Sequence, residues 1–374
     1  MVVMRRLHGG RAWVAGVVAL FTVLGVVPAS AAGPRPGLAY LGGPGVRVAS
    51  ANGAVLQAYE GLPSPSLDRF TIVGEGSGAA GIGPQRAEGV VPPGGPFGGI
   101  VAYDAISGTL LWEVESARHP IALDRGRQAA FLPGSDGSRD PQQNSLWIRR
   151  RNGNVRKVVQ FSNGGGLPGY DAGFEGDGTL LSVSFDAAAE SVVLAEGNDV
   201  DLFIYDVFVV DVASRQVTRV TDDRKSRWPS MTPNGLRIAY QKDVRRCGAF
   251  YIRAAHLMTA RPDGTHRRRV VAGSCDKWLH NPRWISSTLL VAYQTRQLGP
   301  GDYSTKLVLV DVTTGAVEPL ARTANAEVFS VDPVKGLVGF GKAGKIYVVR
   351  LDGSLPKKIG NGYIPVMNGD HQTI

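Results

Sequence analysis

The sequence predicts an all-β fold: a β-propeller of seven four-stranded blades, closed by pairing of its N- and C-terminal strands. The spacing also admits six or eight blades. Three observations predict the fold. One strand–turn–strand unit recurs along the chain, a second hairpin sits between successive copies, and no amphipathic helical segment is long enough for βαβ units.

In chain order, residues 1–32 differ from all that follows. Arg5, Arg6 and Arg11 precede an apolar run of sixteen residues from Ala12 to Val27, and Pro28 and the small stretch Ala29-Ser30-Ala31-Ala32 close it. This is the three-part layout of a secretory signal peptide, with cleavage after Ala31 or one residue later. The alternative, a retained anchor helix, needs ~20 apolar residues to span a bilayer. No Cys lies near the site for lipid attachment, and no later segment is apolar enough to cross a membrane. The expected organisation is a signal segment, 1–32, and a single propeller domain, 33–374.

Seven hairpins then recur, with turns roughly 40 to 60 residues apart. They run through Val46–Gly53, Ile100–Gly108, Leu146–Gly153, Val207–Arg215, Leu257–Gly264, Leu307–Gly315 and Ile346–Gly353. Asn52-Gly53, Asn152-Gly153, Asp263-Gly264 and Asp352-Gly353 mark tight turns, since such turns need positive φ. The fourth copy has lost its Gly and carries Arg215. A second hairpin lies between copies, clearest from Trp228 to Tyr240 and weaker at Leu181–Leu194, Pro282–Tyr293 and Val328–Phe340. Two hairpins per period make four strands, the content of a propeller blade. The Gly/Pro-rich segment from Gly74 to Gly99 reads as a long loop rather than a linker.

From about Val207 onward the copies resemble the TolB-type, WD40-like (PD40) propeller repeat. The resemblance rests on Phe208 to Asp211, Val220-Thr221, Pro229 to Gly235 and Ile238-Ala239-Tyr240. Met231, Thr232 and Asn234 replace the Trp, Ser and Asp of that pattern, while Trp284 keeps the Trp one blade later. The resemblance covers the C-terminal half well and implies the fold. It leaves the function open, since such repeats serve partner-binding proteins and also stand beside peptidase domains. Ile100 to Trp112 further looks like a single quinoprotein-type propeller repeat, too little for a cofactor.

Ring closure follows from strand bookkeeping. Tyr363 to Met367 is an inner strand without followers, and the strands from Leu38 to Tyr59 lack an inner one, so the two ends complete one blade. The same bookkeeping puts Cys247 in the loop between the second and third strands of its blade. Cys275 falls in the loop leading to the next blade, on the same face. These are the two cysteines of the chain, and an even pair in an exported chain suggests one disulfide. The alternatives are separate thiols or a metal site, and two Cys alone do not support the latter.

Charge narrows the partners. The chain carries 41 basic and 32 acidic residues. Loss of three arginines and no acid with residues 1–32 leaves 38 against 32, about +6. That balance is too thin for a nucleic-acid footprint. The run His266-Arg267-Arg268-Arg269 falls on an expected outer strand edge, where charge blocks strand-to-strand aggregation.

No catalytic or metal-binding set emerges. There is no Gly-x-Ser-x-Gly elbow, Ser274 to Lys277 matches a nucleophile spacing without its companion motifs, and a disulfide would consume the thiol beside His280. The histidines left after export share no metal-ligand spacing, and Asp199-Val200-Asp201 lacks the spacing of a calcium loop. Trp112, Trp147 and Trp284 read as core. Better binding candidates lie in loops feeding inner strands on one face: Arg118, His119, Arg227, Trp228, Lys277, Trp278 and His280. Aromatic and Arg residues are the usual anchors of interfaces.

The sequence therefore suggests a secreted or extracytoplasmic binding or scaffold protein, with no cofactor and no stable membrane span after cleavage. It would engage an envelope or secreted protein, or a glycan, through that face. The alternative is a propeller enzyme, a lyase or hydrolase acting on a polymer or small lactone in the central pocket.

Overall fold

The computed structural model describes residues 38–42, 45–60, 71–73, 80–84, 100–104, 110–114, 117–123, 128–133, 145–160, 179–186, 191–198, 204–247, 253–299 and 302–367. The signal segment and Asp199 to Asp201 lie outside them. Among the described residues, twenty-eight strands form seven antiparallel sheets of four. No helix there is long and apolar enough to cross a membrane.

Six sheets are meanders in chain order. The first comprises β4–β7 (Thr71–Val73, Ala80–Pro84, Ile100–Asp104, Leu110–Val114) and the next β8–β11 (Ala117–Leu123, Gln128–Pro133, Ser145–Arg149, Val155–Gln160). They are followed by β12–β15 (Thr179–Asp186, Ser191–Asn198, Ile204–Asp211, Val217–Arg219) and β16–β19 (Ser226–Met231, Ile238–Arg246, Arg253–Ala260, Arg268–Val271). The last two are β20–β23 (Lys277–Trp284, Leu289–Gly299, Asp302–Asp311, Val317–Pro319) and β24–β27 (Val328–Asp332, Leu337–Lys342, Lys345–Arg350, Lys357–Asn361). The seventh sheet joins the ends: β28 (Tyr363–Met367) pairs with β1 (Leu38–Gly42), which leads to β2 (Gly45–Ala49) and β3 (Val55–Glu60). Leu38 stands opposite Met367, as strand bookkeeping required.

The core lies between sheets. Ala239 and Leu257 of one sheet pack with Leu279, Trp284, Leu290 and Val308 of the next. Tyr293 and Leu307 then meet Phe329, Val338 and Phe340 of the sheet after it. Similar layers join β12–β15 to β16–β19 and β24–β27 to the terminal sheet. Described side chains thus link five sheets in sequence. The fold is an all-β β-propeller.

The turns show why the repeat is written as it is. Asp311 Oδ1 accepts hydrogen bonds from the backbone N–H of Thr313 (2.7 Å) and Thr314 (3.0 Å), so the Asp ending this apolar strand caps the turn after it, as Asp211 does by accepting from Ser214 N–H at 2.6 Å. These bonds hold the Asp311 carboxyl below the usual carboxylate range. Gly315 follows with φ 77°, where a Cβ would lie 3.0 Å from the Val270 carbonyl oxygen of the preceding sheet. At the corresponding place in the blade without Gly, Arg215 adopts φ 63°.

Three expectations need correction. β5 lies inside the Gly74–Gly99 segment read as a loop. Ala80-Gly81-Ile82-Gly83-Pro84 has no apolar alternation, and it is a strand because its backbone pairs with β6. The binding candidates stand in β8, β16 and β20 rather than in loops before them, because each inner strand continues past a bulge. Trp284 is core at 2% exposed, whereas Trp112 and Trp147 are only half-buried. Trp112 carries the Arg149 guanidinium over its ring at 4.5 Å, and Trp147 Nε1 donates to Ser145 Oγ at 2.6 Å.

Candidate functional site

Two inner strands carry the same local irregularity. In β16 the register with β17 shifts between Arg227 and Ser230, and Trp228 takes φ 50° ahead of Pro229. In β20 the shift lies between His280 and Arg283, and Asn281 takes φ 50° ahead of Pro282. Proline cannot donate to a ladder, so a strand holding one bulges there. β8 has a shift between Arg118 and Ile121, around His119-Pro120. Its Arg118 and His119 stand at matching positions, but their side chains lie outside the described ones. The residue before the bulge is therefore a cation or imidazole three times: Arg118, Arg227 and His280.

Positive φ is costly for a bulky side chain and marks a place where surroundings over-determine the backbone. At Trp228 the surroundings are charged and aromatic. The Arg227 guanidinium lies over the indole, 4.4 Å from its centroid. Arg227 Nη2 also meets Asp243 Oδ2 at 3.3 Å, and buried Asp243 accepts a bond from Gln241 Nε2 at 2.6 Å. The indole centroid is 5.5 Å from that of His280 in the next sheet. His280 stacks on Tyr293 at 5.0 Å, and Tyr293 meets Phe329 edge-on at 4.8 Å. Beyond Phe329 stands buried Arg283, 5.5 Å from that ring. The result is a row of four rings, Trp228–His280–Tyr293–Phe329, crossing three sheets with an arginine at each end.

His280 is held neutral. Its Nε2 is 2.9 Å from Thr295 Oγ1, which is 3.1 Å from Thr305 Oγ1. Burial, then the nearby Arg227 charge, lowers its pKa from 6.5 to about 4. Burial likewise pushes the Tyr293 hydroxyl pKa upward. The row thus ends in a cation–π pair on Trp228, behind which an uncharged imidazole completes the packing.

Lys277 and Trp278 form a second group. Lys277 is exposed, and half-buried Trp278 meets Tyr303 edge-on at 5.9 Å. Trp278 and His280, two residues apart on β20, share one side of the sheet. Cys247 and Cys275 are joined in a disulfide with Cα atoms 5.4 Å apart. It ties the β17–β18 connection to the turn before β20, where Ser274 N–H bonds to the Lys277 carbonyl at 2.7 Å. The structure therefore brings Arg227, Trp228 and His280 together, and sets Lys277 and Trp278 beside the disulfide.

Sequence reading missed Tyr293, Phe329, Arg283 and Asp243. Tyr293 and Phe329 are spelled like core residues of apolar strands, and no local pattern announces a buried arginine. Among the described residues, no group of three His, Cys, Asp or Glu side chains could hold a metal ion.

No protein-family model matches the chain, and no curated protein matches its sequence. Solved structures do. The tricorn protease is similar at TM-score 0.60 and 11% identity, covering 88% of this chain and 34% of that one. The chain thus spans about a third of the tricorn protease chain. Oligogalacturonate lyase from Vibrio parahaemolyticus is similar at TM-score 0.56 and 9% identity, covering 82% of this chain and 80% of that one. TolB from Acinetobacter baumannii is also a match, at TM-score 0.47 and 15% identity, covering 82% of this chain and 68% of that one. At these identities the first two likenesses establish the fold alone, the β-propeller that the TolB-type repeat predicts.

Proposed function

We propose that this chain is an exported β-propeller of seven blades that binds an envelope or secreted partner, protein or glycan, outside the cytoplasm. In this reading residues 1–32 are a cleaved signal peptide, residues 33–374 form one ring, and each four-stranded sheet is a blade. The partner sits on the end of the blades carrying Arg227, Trp228 and Trp278. The observation that carries the reading is Trp228. A bulky residue in left-handed backbone, set at a bulge ahead of Pro229 and stacked under Arg227, is an aromatic–cation anchor of the kind that dominates binding interfaces. The disulfide supports an oxidising compartment.

The test is crosslinking affinity capture, with the purified protein offered to the envelope and secreted fractions of its own cells and to a glycan array. A Trp228→Ala/Trp278→Ala variant with an unchanged circular dichroism spectrum is the control. A partner held by the native protein and lost with the variant supports the reading and locates the face. Capture of nothing, or equal capture by both, overturns it and directs attention to small-molecule turnover.

A further inference from the structure

A second surface lies at the opposite end of the β16–β19 sheet. The Trp228 end carries the β17–β18 connection, whereas the other end carries the β16–β17 and β18–β19 turns. Between those turns and Thr313 of the next sheet runs a groove of about 990 Å³. Its lining holds Arg237, Arg261, Arg267 and Arg268, with His266, against one acid, Asp263.

The acid is engaged locally. Asp263 Oδ1 accepts from Thr265 N at 2.9 Å and Thr265 Oγ1 at 2.7 Å, so it caps its own turn. Two of the arginines brace the walls. Arg267 bonds to Asp222 (2.8 Å) and to the Gly264 carbonyl (3.0 Å), and Arg268 bonds to the Val312 carbonyl across the sheets. Arg237 and Arg261 meet no carboxylate at ion-pair distance among the described residues. Both stand on turns tied by their own backbone bonds, Thr232 N to the Arg237 carbonyl and Arg261 N to the Thr265 carbonyl, each 2.9 Å. Two exposed cations on well-tied turns thus flank the groove, and Leu236, 66% exposed, offers an apolar anchor beside them.

We propose that this groove is a docking site for an acidic peptide segment of a partner protein, whose carboxylates pair with Arg237 and Arg261 while an apolar residue covers Leu236. Charge complementarity selects the anion, and the fork of a guanidinium matches a carboxylate bidentately. The lining selects peptide over sugar. Leu236, Ala260 and Pro262 supply aliphatic contact, and among the described residues no Trp, Tyr or Phe lines the groove for a pyranose face to stack on. Arginines around an apolar centre are the composition of a protein interface. This surface stands independently of the Trp228 site.

The experiment titrates the purified protein with a fluorescent peptide of alternating Glu and Leu, read by anisotropy. Arg237→Ala/Arg261→Ala should bind about tenfold more weakly or worse, and affinity should fall steeply with salt. Trp228→Ala should bind as the native protein does. Lys357→Ala/Lys358→Ala removes the same charge elsewhere, and its affinity should stay within about twofold of native. Equal loss in both double variants would reduce the effect to net charge and overturn the proposal. So would undetectable binding by the native protein, or tighter binding of an oligouronate than of the peptide.

Discussion

Trp284 Nε1 donates a hydrogen bond to the Ser230 carbonyl at 2.9 Å, joining β20 to β16 of the preceding sheet across 54 positions. Trp284 is 2% exposed and packs in the layer between those sheets, so one side chain both fills the interface and fixes its register. Trp284→Phe keeps most of the volume and removes the donor. It should cost about 1–2 kcal/mol of unfolding free energy. Trp284→Ala, which also opens a cavity, should cost about 3–5 kcal/mol. Urea unfolding followed by far-ultraviolet circular dichroism checks both, and a Trp284→Phe variant as stable as the native protein would show that the hydrogen bond contributes nothing.

Stability should depend on pH through His280. Its folded pKa, about 4, lies below its ordinary value of 6.5. As pH falls through 6.5 the unfolded chain takes a proton that the folded protein refuses until about pH 4. The unfolded state therefore binds more protons in that window, and this group alone should weaken stability by up to about 1.4 kcal/mol per pH unit. His280→Phe keeps the stack on Tyr293 and deletes the titration, so its profile from pH 6.5 to 4 should be flatter than the native one. Parallel profiles would dismiss His280 as the source.

Arg215 holds the left-handed turn position that Gly315 holds in a later blade, and the N–H of each bonds to the Asp four residues before it at 2.8 Å. A side chain there carries a steric penalty that glycine avoids. Arg215→Gly should raise stability by about 1 kcal/mol, visible as a higher melting temperature. A lower one would mean that the Arg215 side chain contributes more than its backbone strain costs.

The disulfide closes a segment with a sequence separation of 28 between its cysteines. On the chain-entropy account its loss should cost about 3.5 kcal/mol. Cys247→Ser/Cys275→Ser should unfold at lower urea than the oxidised protein and match the native chain under reductant. Identical midpoints with and without reductant would refute that contribution.

The parts of the fold legible in sequence are those where backbone geometry leaves a letter behind. Asn52-Gly53 and Asp263-Gly264 announce turns because positive φ strongly favours glycine, and Asp311 announces its cap. β5 left no letter, since Ala80 to Pro84 is a strand through pairing alone. The site was half legible. Arg227-Trp228 stands out as a polar–aromatic pair ahead of proline, and the Cys pair follows from loop bookkeeping. Tyr293 and Phe329 looked like core because they are core on one side, and only the packing of three sheets turns them into a row with Trp228. The basic groove was legible as charge, in His266 to Arg269, but not as a concavity. Its other wall, Leu236-Arg237, comes from a turn some thirty residues earlier.

The pairing of β28 with β1 has a consequence in time. Leu38 and Met367 are opposite one another in the sheet and 329 positions apart in the chain. At synthesis rates of about 5–20 residues per second, the edge of β1 waits tens of seconds for its partner to be made. Throughout that interval it is an unsealed strand edge, open to the wrong neighbour. Any truncation before Tyr363 makes the exposure permanent, so a premature stop that removes β28 should produce aggregates rather than a slightly shorter chain.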